Sequence, residues 1–258
     1  MRIIPLLALL FLASSVLAQE QSADERFPRV DSPTKEQESE AVGALKSAFK
    51  EKKRADLQMA AIRKYGAYAD DAVVREVAKG VRSKDGGVKM TAIEALGWNS
   101  HKEALKQLHR LYRREKDLYK NSEMFAATLK AIGRHGQKKS LDVLGDRVFK
   151  GATPEVSKAR IYGIGNIRHK ESINMLMKGM RLTGTSPDAR GARASEPRGM
   201  AYFHVALCVL SGEDFGAVSA DWQRWWRKNK SKFKMSQDRP DIKAEFKTEW
   251  SKFWGEPY

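Results

Sequence analysis

One short pattern returns along this chain at near-regular intervals, and it limits what the chain can fold into more than any other feature. Thr91-Ala-Ile-Glu-Ala-Leu-Gly97 reads as the end of a helix, with apolar residues at helical spacing and a glycine that stops it. Ile62-Arg-Lys-Tyr-Gly66 precedes it, Leu129-Lys-Ala-Ile-Gly133 and Ile161-Tyr-Gly-Ile-Gly165 follow, and Leu207-Cys-Val-Leu-Ser211 is a degenerate fifth copy. The stop residues 66, 97, 133, 165 and 211 lie 31, 36, 32 and 46 positions apart. Periods of this size belong to helix-pair repeats.

Each stop is followed by a second amphipathic segment in the same phase. Eight positions on come Val74, Leu105, Leu141 and Ile173. Eleven on come Val77, Leu108, Leu144 and Leu176, and fifteen on come Val81, Tyr112, Val148 and Met180. Those offsets share one helical face. Turn formers precede two of the first helices, in Ser83-Lys-Asp-Gly-Gly-Val-Lys-Met and Gly151-Ala-Thr-Pro-Glu-Val-Ser-Lys.

Asp85-Gly-Gly-Val-Lys-Met-Thr-Ala-Ile-Glu-Ala-Leu-Gly97, followed by His101-Lys-Glu-Ala-Leu, resembles the HEAT repeat family, including the short bilin-lyase-like variety of bacterial α-solenoids. The resemblance covers roughly Ala55 to Gly212. It implies an all-α, right-handed solenoid of about five helix pairs, with the second helices lining the concave surface. Function is not implied, because this family serves many roles.

The expected organisation is a signal peptide over 1–18, a flexible leader over 19–31 and an N-terminal capping helix over 32–54. HEAT-like repeats follow over 55–212, then a Trp-rich C-terminal cap over 213–258. Arg2 followed by apolar Ile3 to Ala13 and the small or apolar Val16-Leu17-Ala18 has the form of a secretory signal. An uncleaved anchor is the competing reading, against which the shortness of the apolar run argues. Ser32-Pro33 reads as N-cap and first helical residue of a helix reaching about Lys53, with Val42, Leu45, Ala48 and Phe49 on one face. Thr183 to Pro197 is a Gly-, Ser- and Pro-rich insertion that accounts for the last long spacing. A final helix is expected from about Pro240 to Trp254.

The formal charge is +16. Removing residues 1–18 takes away one arginine and leaves +15. Gln19 to Leu45 holds seven acids and three bases, so Lys46 to Tyr258 carries +19. Such a body attracts acidic proteins or other anionic polymers in a salt-dependent way. Nine, thirteen and sixteen positions after each stop come Arg75, Lys79 and Arg82, then Lys106, Arg110 and Arg113. The third repeat gives Asp142, Asp146 and Phe149, and the fourth Asn174, Lys178 and Arg181. Each trio shares a face away from the apolar one. With the resemblance, this implies a basic concave groove with one acidic rung. The bland alternative is a solvated face. Arg190, Arg193 and Arg198, on and beside the insertion, are further candidates for gripping an anion.

Other constellations favour structural roles. His101-Lys-Glu103 and His169-Lys-Glu171 recur at one repeat position, where turn and capping roles outweigh a metal reading taken from HEAT-like hydroxylases. Trp222, Trp225, Trp226, Trp250 and Trp254 read as an aromatic end cap, with a sugar-stacking platform as the sharper alternative. The Trp-x-x-Trp-Trp tail is similar to the ends of other exported bacterial HEAT-like proteins. Cys208 is the single cysteine, expected as a small buried hydrophobe. Neither a phosphate loop, a zinc cysteine pair nor a nucleophile elbow is present, so no catalytic residue, metal or cofactor is expected.

The resulting expectation is a periplasmic or secreted, non-enzymatic scaffold that holds an acidic partner. A nucleic-acid-binding solenoid is the alternative. A lyase or hydroxylase by family analogy comes third.

Overall fold

The computed structural model describes residues 27–114, 116–146, 153–184 and 198–258. These residues are all-helical, with no β-strand among them. The helices are α1 Lys35–Lys50, α2 Ala55–Tyr65, α3 Asp71–Gly80, α4 Gly86–Trp98, α5 Lys102–Arg114 and α6 Ser122–Arg134. There follow α7 Leu141–Gly145, α8 Pro154–Gly165, α9 Lys170–Gly184, α10 Arg198–Ser211, α11 Ser219–Asn229 and α12 Ala244–Trp254.

Two rows of helices emerge from the packing. In the first row α2 lies on α4, α4 on α6, α6 on α8 and α8 on α10. In the second row α1 packs on α3, α3 on α5, and α9 on α11. Short α7 joins that row through side chains: Tyr112 Oη donates to Asp146 at 3.0 Å, and Gly145 lies against Met175. The aligned apolar positions of the second helices are all buried where they are described, from Val74 to Met180. Val148 and Phe149 lie outside the described residues.

The recurrent glycines are not helix stops of the left-handed kind. Gly66 has φ −65°, and the left-handed glycines among the described residues are Gly136, Gly212, Gly216 and Gly255. Gly97 and Gly133 sit one residue inside their helices, and Gly165 is the last residue of α8. What they permit is close approach along the first row. A methyl group on Gly97 would lie 2.9 Å from the Ala131 Cα. On Gly133 it would lie 2.5 Å from the Gly163 Cα, and on Gly165 2.8 Å from the Ala206 Cβ. Every one of these positions therefore needs hydrogen where other residues carry Cβ.

Just beyond these glycines, polar side chains tie each pair to the one before. Asn99 Nδ2 donates to the carbonyls of Gly66 (2.9 Å) and Tyr68 (2.7 Å). At the same offset in the next pair, His135 Nε2–H donates to the Leu96 carbonyl at 3.0 Å. Asn166 Nδ2 then reaches the Gly133 carbonyl at 3.1 Å. The last carbonyls of a helix lack partners inside it, and this ladder supplies them from the next helix pair. Burial holds the His135 imidazole neutral and lowers its pKa to about 4.

Several boundaries differ from the expectation. Helix α1 starts after Thr34 rather than Ser32, because Thr34 and Gln37 form a reciprocal capping box: Gln37 N donates to Thr34 Oγ1 and Thr34 N to Gln37 Oε1. The stretch expected as a flexible leader is anchored from residue 27 onward. Phe27 is buried, Ala69 N donates to the Val30 carbonyl at 2.8 Å, and Ser100 Oγ donates to Asp31 at 2.6 Å. Helix α9 runs into the expected insertion as far as Gly184, and residues 185–197 lie outside the described residues.

The C-terminal region does more than close an end. Helix α11 packs on α9, with Trp226 Nε1 donating to Asn174 Oδ1 at 2.7 Å. Helix α12 instead folds back over the first row. Trp254 sits over Gly133 and Trp250 over Gly165, so the four-residue spacing of the indoles matches neighbouring helices. Polar contacts hold it there: Tyr162 Oη donates to Glu249 at 2.5 Å, and Arg134 donates to Glu256 at 3.2 Å and to the Trp254 carbonyl. Arg134 also stacks 3.5 Å from the Trp98 ring centroid. Trp222, Trp226, Trp250 and Trp254 are buried, so none of these four presents a face on which a sugar could stack, and Trp225 is half-buried against Phe215 and Phe233. The histidines His101 and His169 accept backbone N–H bonds at Nδ1, from Glu103 (3.4 Å) and Glu171 (3.1 Å), at the starts of α5 and α9.

Two stability outcomes follow from the seam and the ladder. Gly133→Ala should cost about 1–3 kcal/mol, because its new methyl meets backbone rather than a movable side chain. Gly43→Ala, in α1 with open space around it, should gain about 0.5–1 kcal/mol. Urea unfolding at neutral pH measures both, and equal shifts would refute the close-packing role of Gly133. The second outcome concerns pH. In the unfolded chain His135 takes up a proton near its ordinary 6.5, while the folded imidazole resists until about 4. The unfolded state thus binds more protons inside that window, and stability falls as pH drops through it. From pH 7 to pH 5 the loss from His135 should be about 2 kcal/mol. Buried His109, whose pKa is also lowered by burial, adds in the same direction. His135→Asn keeps a donor of the Asn99 kind and should flatten the pH dependence of urea midpoints.

Candidate binding groove

A groove of about 720 Å³ opens across the first three helices of the second row, α1, α3 and α5. Its floor is apolar: Val42 from α1, Ala72 and Ala78 from α3, Val81 just after α3, and Leu111 from α5. Cations form the walls. Lys46 stands one turn after Val42 on α1. Arg75 and Lys79 stand one turn apart on α3, and Arg82 follows the helix end. Arg110 and Arg114 stand one turn apart on α5. Among the described residues, Glu76 is the one acidic residue in the lining.

Local ion pairs neutralise part of this charge. Arg75 pairs with Asp71 at 2.9 Å, and Lys79 with Glu76 at 2.5 Å. Arg110 donates to the neutral Gln107 side chain at 2.9 Å rather than to a carboxylate. Lys46, Arg82 and Arg114 have no acidic partner among the described residues. The groove therefore keeps several uncompensated cations around an apolar floor. Such a set attracts an anion through long-range charge and holds it through charge-assisted hydrogen bonds, for which arginine's planar fork is suited. The attraction weakens with salt.

The basic positions aligned from the sequence do not all meet here. Arg75, Lys79, Arg82 and Arg110 line the groove, whereas Lys106, Arg113, Lys178 and Arg181 are exposed outside it. Lys106 pairs with Glu103 on its own helix. Arg113 faces His109, whose pKa it helps to lower. Helix α5 presents Gln107, Arg110, Leu111 and Arg114 to the groove, one residue round from the equivalent face of α3. Lys178 and Arg181 lie on α9, beyond short α7, where Asp142 is exposed and Asp146 accepts from Tyr112. The acidic rung thus separates the basic face of α9 from the groove.

Two groove residues escaped the sequence alignment, Lys46 and Arg114. Lys46 was missed because α1 precedes the first stop glycine, so no offset pointed to it. Its own signal is the Val42–Lys46 pair at helical spacing. Of the insertion candidates, Arg190 and Arg193 lie outside the described residues. Arg198 opens α10, and its side chain lies outside them too.

No helix among the described residues is long and apolar enough to cross a membrane. Comparison with protein-family models, with curated proteins and with solved structures returns no match.

Proposed function

We propose that this chain is a non-enzymatic binding protein, a right-handed HEAT-like solenoid of about five helix pairs exported to the periplasm or beyond. Its α1–α3–α5 groove holds an acidic segment of a partner protein. One observation carries the reading: six cationic side chains from three successive helices converge on one apolar-floored groove. The solenoid reading is supported by the two helix rows and by the common phase of the second helices. Export rests on the form of residues 1–18.

The mixed character of the groove narrows the partner. Cationic walls favour carboxylates, and Val42, Val81 and Leu111 offer a surface for interspersed apolar side chains. A nucleic acid is the weaker reading, because among the described residues no aromatic side chain lines the groove on which bases could stack.

A labelled peptide alternating glutamate with leucine tests the proposal by fluorescence anisotropy at low salt. Lys46→Glu with Arg114→Glu should weaken binding about tenfold or more. Lys178→Glu with Arg181→Glu changes net charge equally but lies outside the groove, and should leave binding nearly unchanged. Equal losses in the two pairs would mean that overall charge, not the groove, holds the peptide. Tighter binding of a single-stranded oligonucleotide than of the peptide would favour the nucleic-acid reading.

A further inference from the structure

At the far end of the molecule, three side chains of different chemistry meet outside the groove. His204 and Cys208 stand one turn apart on α10, on one face of the helix. The chain then reverses through Gly212 (φ 78°) and Gly216 (φ 61°), which brings Asp214 back over that face. One nitrogen, one sulfur and one carboxylate oxygen all lie within 4.8 Å of one another. His204 Nε2 is 2.6 Å from Asp214 Oδ1, and Gly216 N donates to the same oxygen at 3.0 Å. The other carboxylate oxygen, Oδ2, receives Lys243 Nζ at 2.9 Å. The Phe246 ring packs edge-on to the imidazole, 4.9 Å between centroids.

A buried cysteine in an apolar helix ordinarily faces other apolar groups. Here Cys208 is buried but shares its surroundings with an imidazole and a carboxylate. A cavity of about 210 Å³ borders the same cluster, lined by Cys208, Asp214, Asp241, Lys243 and Phe246. His204 and Asp214 are partly exposed, so the cluster is open to solvent on one side.

We propose that His204, Cys208 and Asp214 form a binding site for a divalent cation of the zinc type. The donor set, one imidazole nitrogen, one thiolate and one carboxylate oxygen, is the mixture that zinc accepts in a four-coordinate site with one position left for water or a ligand. The cavity beside Cys208 provides that fourth position. Lys243 would hold the Asp214 oxygen that does not ligate, as an outer partner that fixes the carboxylate. Binding replaces the thiol hydrogen by the metal, so the Cys208 proton leaves for each cation taken up, and the hydrogen that His204 Nε2 shares with Asp214 must leave or move to Nδ1 before that nitrogen ligates. The inference stands apart from the groove, which shares no residue with it.

Cobalt(II) is the probe, added to the untagged, reduced full chain. The expected result is one cobalt per chain with a thiolate-to-cobalt charge-transfer band in the near ultraviolet, displaced by one equivalent of zinc. Cys208→Ser should abolish the band. His204→Gln and Asp214→Asn, at partly exposed positions, should each weaken zinc binding at least ~10-fold with unchanged circular dichroism. Absence of the band in the unaltered chain would overturn the proposal. So would a band that survives with unchanged affinity in both His204→Gln and Asp214→Asn, since the thiol would then bind cobalt alone.

Discussion

The contact on which the molecule depends is the near-touching of backbones along the first row of helices. Gly97 against Ala131, Gly133 against Gly163, and Gly165 against Ala206 bring helices α4, α6, α8 and α10 closer than ordinary side chains allow. That closeness has two effects. It puts the end of each helix within reach of the Asn99, His135 and Asn166 side chains of the next pair, which satisfy its last carbonyls. It also packs the first row into one layer, against which the helices of the second row lie.

Periodicity makes much of this legible in the sequence. The common phase of Val74, Leu105, Leu141 and Ile173 marks a buried face, and these residues are buried. The same glycines were visible as a pattern, but their purpose was not. A glycine near a helix end suggests a left-handed stop, and sequence spacing cannot show that another backbone lies 2.5 Å from where its methyl would be. The path of α12 was equally hidden. Trp250 and Trp254 announce a buried helical face, yet nothing local states that they lie on Gly165 and Gly133 rather than on the end of the array. Long-range placement of this kind is written in shape complementarity, not in spacing.

The groove shows the same division. Counting from the stop glycines picks out Arg75, Lys79, Arg82 and Arg110, which line one groove because they follow the helical period. It erred where rotation mattered. A turn of one residue exchanges Arg113 for Arg114 at the groove wall, and α1, lying before the first glycine, contributes Lys46 without belonging to the count. Charge alone is also a poor guide: Lys106 is as basic as Arg110, but its carboxylate partner Glu103 stands one turn away. The His204–Cys208–Asp214 cluster was invisible for another reason. Two of its members share a helix face, but the third arrives only after two left-handed glycines reverse the chain.

A row of helix pairs that touch only their neighbours can fray from either end, one unit at a time. The return of α12 across α6 and α8 changes that topology. It ties residues near 250 to residues near 134 and 162, a loop closed over a long stretch of chain. Opening of the middle pairs therefore breaks their contacts with α12, which covers Gly133 and Gly165. A molecule assembled from local parts thereby gains one long-range step, which couples the docking of α12 to the locking of its centre.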